Sequence, residues 1–216
     1  MPADAAGPQI KPVSDEVRAL IYKWAGDNNG KIYAPVLHPE FAAMPAQHGS
    51  ERFDMIEPYL DHPGGTVLDI GANWGYISSR LADLGYKVTA IEVAEHIYTV
   101  LDGLREASGR DFKTVHGTIF ELPDTDFDIV IALNIFHHFL KKKDRFENFN
   151  RFLQRLNCKT MIFQSHRYEE PQMRGSYHNL HPEEFVELLS REARLPRVEM
   201  IASPGGRNIY RLRAAE

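Results

Sequence analysis

The chain is poor in sulfur nucleophiles and in long apolar runs. Among 216 residues there is one cysteine, Cys158. A single thiol excludes an intrachain disulfide framework and a cysteine-cluster metal site, since both need several thiols converging in space. No apolar run reaches the roughly 18 residues of a membrane span, and the opening MPADAAGPQIKP lacks a basic leader followed by an apolar stretch. Neither a signal peptide nor a membrane anchor is therefore expected, and the cytoplasm is the default location. Positive charge is not in excess either: 25 Lys and Arg stand against 30 Asp and Glu, a net charge of -5. The basic residues are scattered apart from the run Lys141 to Lys143, which argues against general nucleic-acid binding. There is no H-E-x-x-H run, so no metal is expected, and no G-x-x-x-x-G-K-[ST] phosphate loop.

What is present has the size and balance of one α/β domain, with 43% hydrophobic and 25% charged residues. Residues 1 to 13, rich in proline and small side chains, read as a loose tail. Ser14 is placed to cap a helix whose apolar stripe is Val17, Leu20, Ile21 and Trp24. APVLHPEFAAMPAQHGS reads as a folded loop arching over a site, and Ser50 as the cap of a helix that Pro58 ends. Residues 1–63 thus form a tail and helical cap on a core of residues 64–216.

The core alternates. TVLDI, KVTAIE, FKTVHG, FDIVIAL and KTMIFQ read as strands. YISSRLADLG, AEHIYTVLDGLREA and DRFENFNRFLQRL read as intervening helices. This alternation predicts a doubly wound, mostly parallel sheet covered by helices on both faces. After the helix PEEFVELLSREA, led by Asn179 or His181, the runs RVEMIA and NIYRLR predict an antiparallel C-terminal hairpin. Phe146, Phe149, Phe152, Leu153 and Leu156 recur at helical spacing as a packing stripe.

The strongest constellation is VLDIGANWGY, where a buried strand runs into a glycine turn and then a helix. Gly71 lets the chain turn, Gly75 permits close approach of the backbone, and the helix start offers amides to a polar ligand. Glu92 ends the next strand, 23 residues beyond Asp69, where this topology sets its carboxylate beside the loop to accept ribose hydroxyls. A dinucleotide fingerprint needs G-x-G-x-x-G, but those positions hold Gly71, Asn73 and Tyr76. A nucleoside cofactor without a pyrophosphate is less demanding.

VLDIGANWGYISSRLADLGYKVTAIE, followed by HGTIFELPDTDFDIVIALNIFHHF, resembles the class I S-adenosylmethionine-dependent methyltransferases, over roughly residues 64 to 213. The resemblance implies a seven-stranded Rossmann-like sheet and S-adenosyl-L-methionine as cofactor. It implies that Asp69 and the loop Gly71, Ala72, Asn73, Gly75 and Tyr76 hold the methionine portion, and that Glu92 binds the ribose. Thr118 stands where the family often has an acid for the adenine amino group, so either the adenine is held by the neighbouring backbone and by apolar Ile119 or Phe120, or its contact is weak. Leu133 and Asn134 match the region beneath the methionine part.

The acceptor side is read from loops following the fourth and fifth strands. His138, then His166, are candidates to take a proton from a hydroxyl acceptor. Arg167, Tyr168, Arg174, Tyr177 and His178 are candidates to bind a small polar acceptor, with Gln47 and Arg52 joining from the cap. The expected activity is methylation of such a metabolite by a monomer or homodimer, with O-methylation favoured over N-methylation. An NAD-linked oxidoreductase and a non-catalytic nucleotide-sensing domain are the alternatives, and RNA or protein acceptors stay open.

Overall fold

The computed structural model describes residues 9–215. Its elements are α1 (Asp15–Asp27), α2 (Glu51–Ile56), β1 (Thr66–Ile70), α3 (Tyr76–Asp83), β2 (Lys87–Glu92), α4 (Glu95–Ser108), β3 (Lys113–His116), β4 (Asp126–Leu133), α5 (Lys143–Arg155), β5 (Asn157–Gln164), α6 (Pro182–Glu192), β6 (Arg197–Ala202) and β7 (Ile209–Arg213). The seven strands form one sheet in the order β3-β2-β1-β4-β5-β7-β6. The first five are parallel, and β7 runs antiparallel to both β5 and β6. The hairpin sits at the sheet edge as expected, with β7 inserted between β5 and β6. Strand order reverses between β1 and β4, the position where open sheets of this kind leave a crevice at their carboxyl ends.

Alternation along the strands divides the core in two. Leu68, Ile70, Val130, Ala132, Met161 and Phe163 face one side, where Phe149, Phe152 and Leu153 of α5 and Phe185 and Leu189 of α6 cover them. Val67, Ile129, Ile131 and Ile162 face the other, against Leu81, Leu101 and Phe53. The period of two along each strand sends alternate residues to opposite faces, so both sides need helices. Cys158 is buried in the first cluster and its thiol is pushed up to about 12 by that burial, consistent with a packing role.

Residues 1–8 of the expected tail lie outside the described residues, but the remainder is not loose. The Lys11 amide donates to the Ala107 carbonyl at 2.7 Å, and Val13 packs with Val17 and Ile21 of α1 against Val100 and Leu104 of α4. Val13 supplies the apolar burial that the sequence upstream of it lacks. Ser14 caps α1, its hydroxyl accepting from the Val17 amide. Ser50 does not cap α2 as expected. Its backbone is already helical, and its hydroxyl donates to the Asp54 carboxylate. His181 rather than Asn179 leads α6, its amide donating to Glu184 at 2.9 Å.

Candidate active site

The chain leaves β1 through three residues with left-handed backbone: Gly71 (φ 69°), Asn73 (φ 51°) and Gly75 (φ 81°). Asparagine is among the few side-chain-bearing residues that tolerate this region, which explains how it replaces a glycine at the middle position. Its Oδ1 accepts from the Trp74 amide at 2.8 Å, bracing the turn. Gly71 is also sterically required: a Cβ there would lie 2.8 Å from Ile135 Cγ1. Gly75 plays a further part besides the one its sequence suggests. A Cβ on it would meet Leu101 Cδ1 of α4 at 2.5 Å, so this glycine also lets two helices approach.

Two acids flank the loop. Asp69 is 4% exposed, and Ser78 donates to its Oδ2 at 2.6 Å. Burial raises its pKa to about 6, with the Glu92 charge adding to the effect and the Ser78 bond opposing it. Glu92 is also buried, and its carboxylate accepts from the amides of Val93 (2.9 Å), Ala94 (3.0 Å) and Asn73 (3.2 Å). A carboxylate offers about four lone-pair positions, so a pair of ribose hydroxyls would take the remaining one and compete for the longest of these bonds.

Beside Glu92 opens a cleft of about 650 Å³. Ile97, Ile119, Phe120 and Phe139 supply apolar walls, Asn134 and His138 polar groups, and Asp144, Arg145 and Asn148 of α5 a charged rim. A smaller recess of about 60 Å³ lies under the N-terminal cap, lined by Asp69, Ala72, Tyr76, His48 and Arg52. Tyr33, Gly71, Asn73 and Leu133 line both. The loop after α1 thus does arch over the site, sending Tyr33 and His48 into it with their rings 4.9 Å apart. Burial, then the charge of Arg52, lowers the His48 pKa.

These groups fit an adenosine linked to an amino acid. The apolar slot suits a purine, Glu92 suits vicinal hydroxyls, and the recess at Arg52 suits a carboxylate. Asn134, at φ 58°, holds a buried Oδ1 with no hydrogen-bond partner among the described residues, an acceptor open to an ammonium or hydroxyl. Thr118 lines the slot, but its hydroxyl accepts from the Phe120 amide at 3.4 Å.

The histidines separate. His138 lines the cleft, and its Nδ1 lies 3.3 Å from Lys141 Nζ. His137 is 2% exposed with neither ring nitrogen partnered among the described residues, and burial, aided by the neighbouring His138, lowers its pKa to about 3. His166 does not line the cleft: it is fully buried, 5.8 Å behind the His137 ring, with Nε2 3.2 Å from Asn179 Oδ1.

Several expected acceptor residues are likewise not brought to the cleft. Arg167 lies beside Glu170, Tyr168 stacks on His181 at 3.8 Å, and Tyr177 and His178 pack on Phe146. Arg174 lies outside the cleft on the same segment, and Gln47 donates to Asn28. The segment after β5 is drawn elsewhere because Glu170, 4% exposed, gathers the Arg167 amide and the Arg207 and Gln172 side chains. Residues that sequence reading passed over are Tyr33, Arg145 and Lys141. In sequence Lys141 stands out only as part of the basic run Lys141 to Lys143, yet its Nζ lies 3.3 Å from His138 Nδ1.

A family described as a methyltransferase domain matches residues 67–157. The Escherichia coli O-antigen chain terminator bifunctional methyltransferase/kinase WbdD is 26% identical over 194 residues, covering 83% of this chain and 27% of the relative, so the chain spans only part of that protein's length. A ubiquinone biosynthesis O-methyltransferase from Xanthomonas oryzae pv. oryzae is 32% identical over 90 residues, 40% of this chain and 38% of that one. In architecture, a crystal structure of WbdD superposes with TM-score 0.67 at 23% identity, covering 91% of this chain and 46% of that chain. Magnesium protoporphyrin IX methyltransferase from Synechocystis PCC 6803, crystallised with SAM, gives TM-score 0.56 at 16% identity, covering 77% of each chain.

Proposed function

We propose that this chain, which belongs to the class I S-adenosylmethionine-dependent methyltransferases, methylates an oxygen atom of a small polar acceptor. The bound cofactor supplies a methyl group made electrophilic by a positively charged sulfur. Glu92 would hold the ribose through its remaining acceptor capacity, and Ile119 and Phe120 would sandwich the adenine. Asp69 and Arg52 in the smaller recess, and Asn134 from the adjoining cleft, would receive the amino-acid end.

The observation that carries the acceptor reading is that His138 and Arg145 line the same cleft as Glu92. Polar groups able to orient an acceptor therefore share one space with the acid that marks the donor. Holding two reactants at contact in that space converts an encounter into an oriented step. Tyr33, from the cap, lines both this cleft and the smaller recess. The test is transfer of isotopically labelled methyl from S-adenosylmethionine to matched small alcohols, carboxylates, phosphomonoesters and amines, with an RNA and a denatured protein alongside. Label in an oxygen-linked small product supports the reading; label confined to amines, RNA or protein overturns it.

A further inference from the structure

We propose that His138 is a hydrogen-bond donor to an acceptor oxygen that arrives already anionic, a carboxylate or phosphate oxygen, and is not a base that deprotonates a hydroxyl. This rests on the oxygen-acceptor reading above and sharpens its substrate class.

Lys141 Nζ lies 3.3 Å from His138 Nδ1. An ammonium has donors and no acceptor, so Nδ1 must present its lone pair to it, and a neutral imidazole then carries its single proton on Nε2. Nε2 has no hydrogen-bond partner among the described residues, and the residue lines the cleft. With one lone pair committed to Lys141 and the other nitrogen protonated, the ring has nowhere to accept a hydroxyl proton. The neutral form is the one the surroundings favour: burial, then the charges of Lys141 and Arg145, lowers the His138 pKa.

The charges around the ring point the same way. Neither Lys141 nor Arg145 forms an ion pair among the described residues. The carboxylate of Glu170 reaches Lys141 only through Gln172, by contacts of 2.6 and 3.4 Å, and is itself committed to Arg207 at 2.8 Å. His137 packs against His138 with ring centres 4.1 Å apart and is held neutral by burial. Asp144 is the one carboxylate besides Glu92 on the cleft lining. The His138 end therefore offers the cleft an N–H and the Arg145 guanidinium, with the Lys141 charge held at the ring's other nitrogen, which complements an anion. The transfer then balances without a base. The anionic oxygen forms the O–C bond with its lone pair while the S–C bond breaks and its electron pair stays on sulfur. Anion and sulfonium become a neutral ester and thioether, or a phosphate with one charge fewer, and no proton is released.

The test is nitrogen NMR of the histidine-labelled protein loaded with S-adenosylhomocysteine near neutral pH, the His138 signals being assigned by their loss in His138→Gln. The expected result is the Nε2–H tautomer, with the Nε2 resonance moving on titration with acetate, with inorganic phosphate, or with both, which tells the two anion sources apart. Lys141→Met should let the tautomers mix. A proton on Nδ1, or an Nε2 signal that neither anion moves, would overturn the proposal. Methyl transfer found only on amines would instead defeat the oxygen-acceptor reading while leaving the tautomer result standing, so the two failures are distinguishable.

Discussion

The amide of Asn73 donates to Glu92 Oε2 at 3.2 Å, tying the left-handed turn after β1 to the acid at the end of β2. Loop and acid are one hydrogen-bonded unit, so a change at Glu92 acts on the ligand and on the loop together. Glu92→Gln keeps the shape and one acceptor but loses the charge. A hydrogen bond to a charged group contributes about 1.5–3 kcal/mol, so S-adenosylhomocysteine should bind about 10- to 150-fold more weakly by calorimetry, with Glu92→Ala weaker still. Unchanged affinity in both variants would remove Glu92 from the ribose site.

Asn73 itself separates backbone need from side-chain need. Asn73→Gly satisfies φ 51° and loses only the Oδ1 bond to Trp74, whereas Asn73→Ala loses that bond and forces a Cβ-bearing residue without a local acceptor into the left-handed region. Urea unfolding should find the alanine variant less stable by about 1 kcal/mol or more and the glycine variant close to the parent. Equal losses in the two would show that the side-chain bond, not the backbone, governs this position.

The sequence made the donor side legible because its determinants are local or set by topology. Gly71, Asn73 and Glu92 lie at strand ends whose neighbours follow from a parallel sheet. The acceptor side was less legible, since side-chain direction in the loops depends on partners distant in sequence. Arg167 and Tyr168 follow β5 as closely as His138 follows β4, yet Glu170 and His181 hold them away from the cleft. Lys141 is in sequence one of a run of three lysines, and only the short 3-10 turn Phe136–Leu140 before it sets its Nζ 3.3 Å from His138 Nδ1. The packing of Gly75 depends on Leu101, contributed by a different helix, which no local motif encodes.

Two buried groups should give stability an unusual dependence on pH. The His137 pKa is near 3 against an ordinary 6.5, so below pH 6.5 the unfolded chain binds a proton that the folded chain refuses, and stability falls as pH drops toward 3. Asp69 opposes this. Its folded pKa of about 6 exceeds its ordinary 3.8, so the folded chain holds the extra proton and gains stability as pH falls through that window. Below it only losses remain, because Asp128 and Glu170, both held near 2 by their partners, begin to protonate. His48, His138 and His166, whose pKa values burial also lowers, add to the loss, so unfolding free energy should fall between about pH 6 and 4 with Asp69 offsetting part of it, and fall more steeply below, each unit per group being about 1.4 kcal/mol at most. In His137→Leu the loss between about pH 6 and 4 should be shallower than in the parent, by up to about 1.4 kcal/mol per pH unit; a profile parallel to the parent's would refute the assignment.

Arg52 lines the smaller recess with Asp69, and Arg145 lines the cleft with His138, the two spaces sharing Tyr33, Gly71, Asn73 and Leu133. Neither forms an ion pair among the described residues, so each has its charge free for a ligand. If Arg52 meets the cofactor's carboxylate, Arg52→Met should weaken S-adenosylhomocysteine binding about tenfold or more, the loss of one charge-assisted bond, with the acceptor KM unchanged at saturating cofactor. Arg145→Met should do the reverse, raising the acceptor KM by a similar factor while calorimetry of the cofactor is unaltered. Both arginines are partly solvated, so raising salt should shrink each effect. Loss of cofactor affinity in Arg145→Met, with Arg52→Met silent, would exchange the donor and acceptor ends of the site.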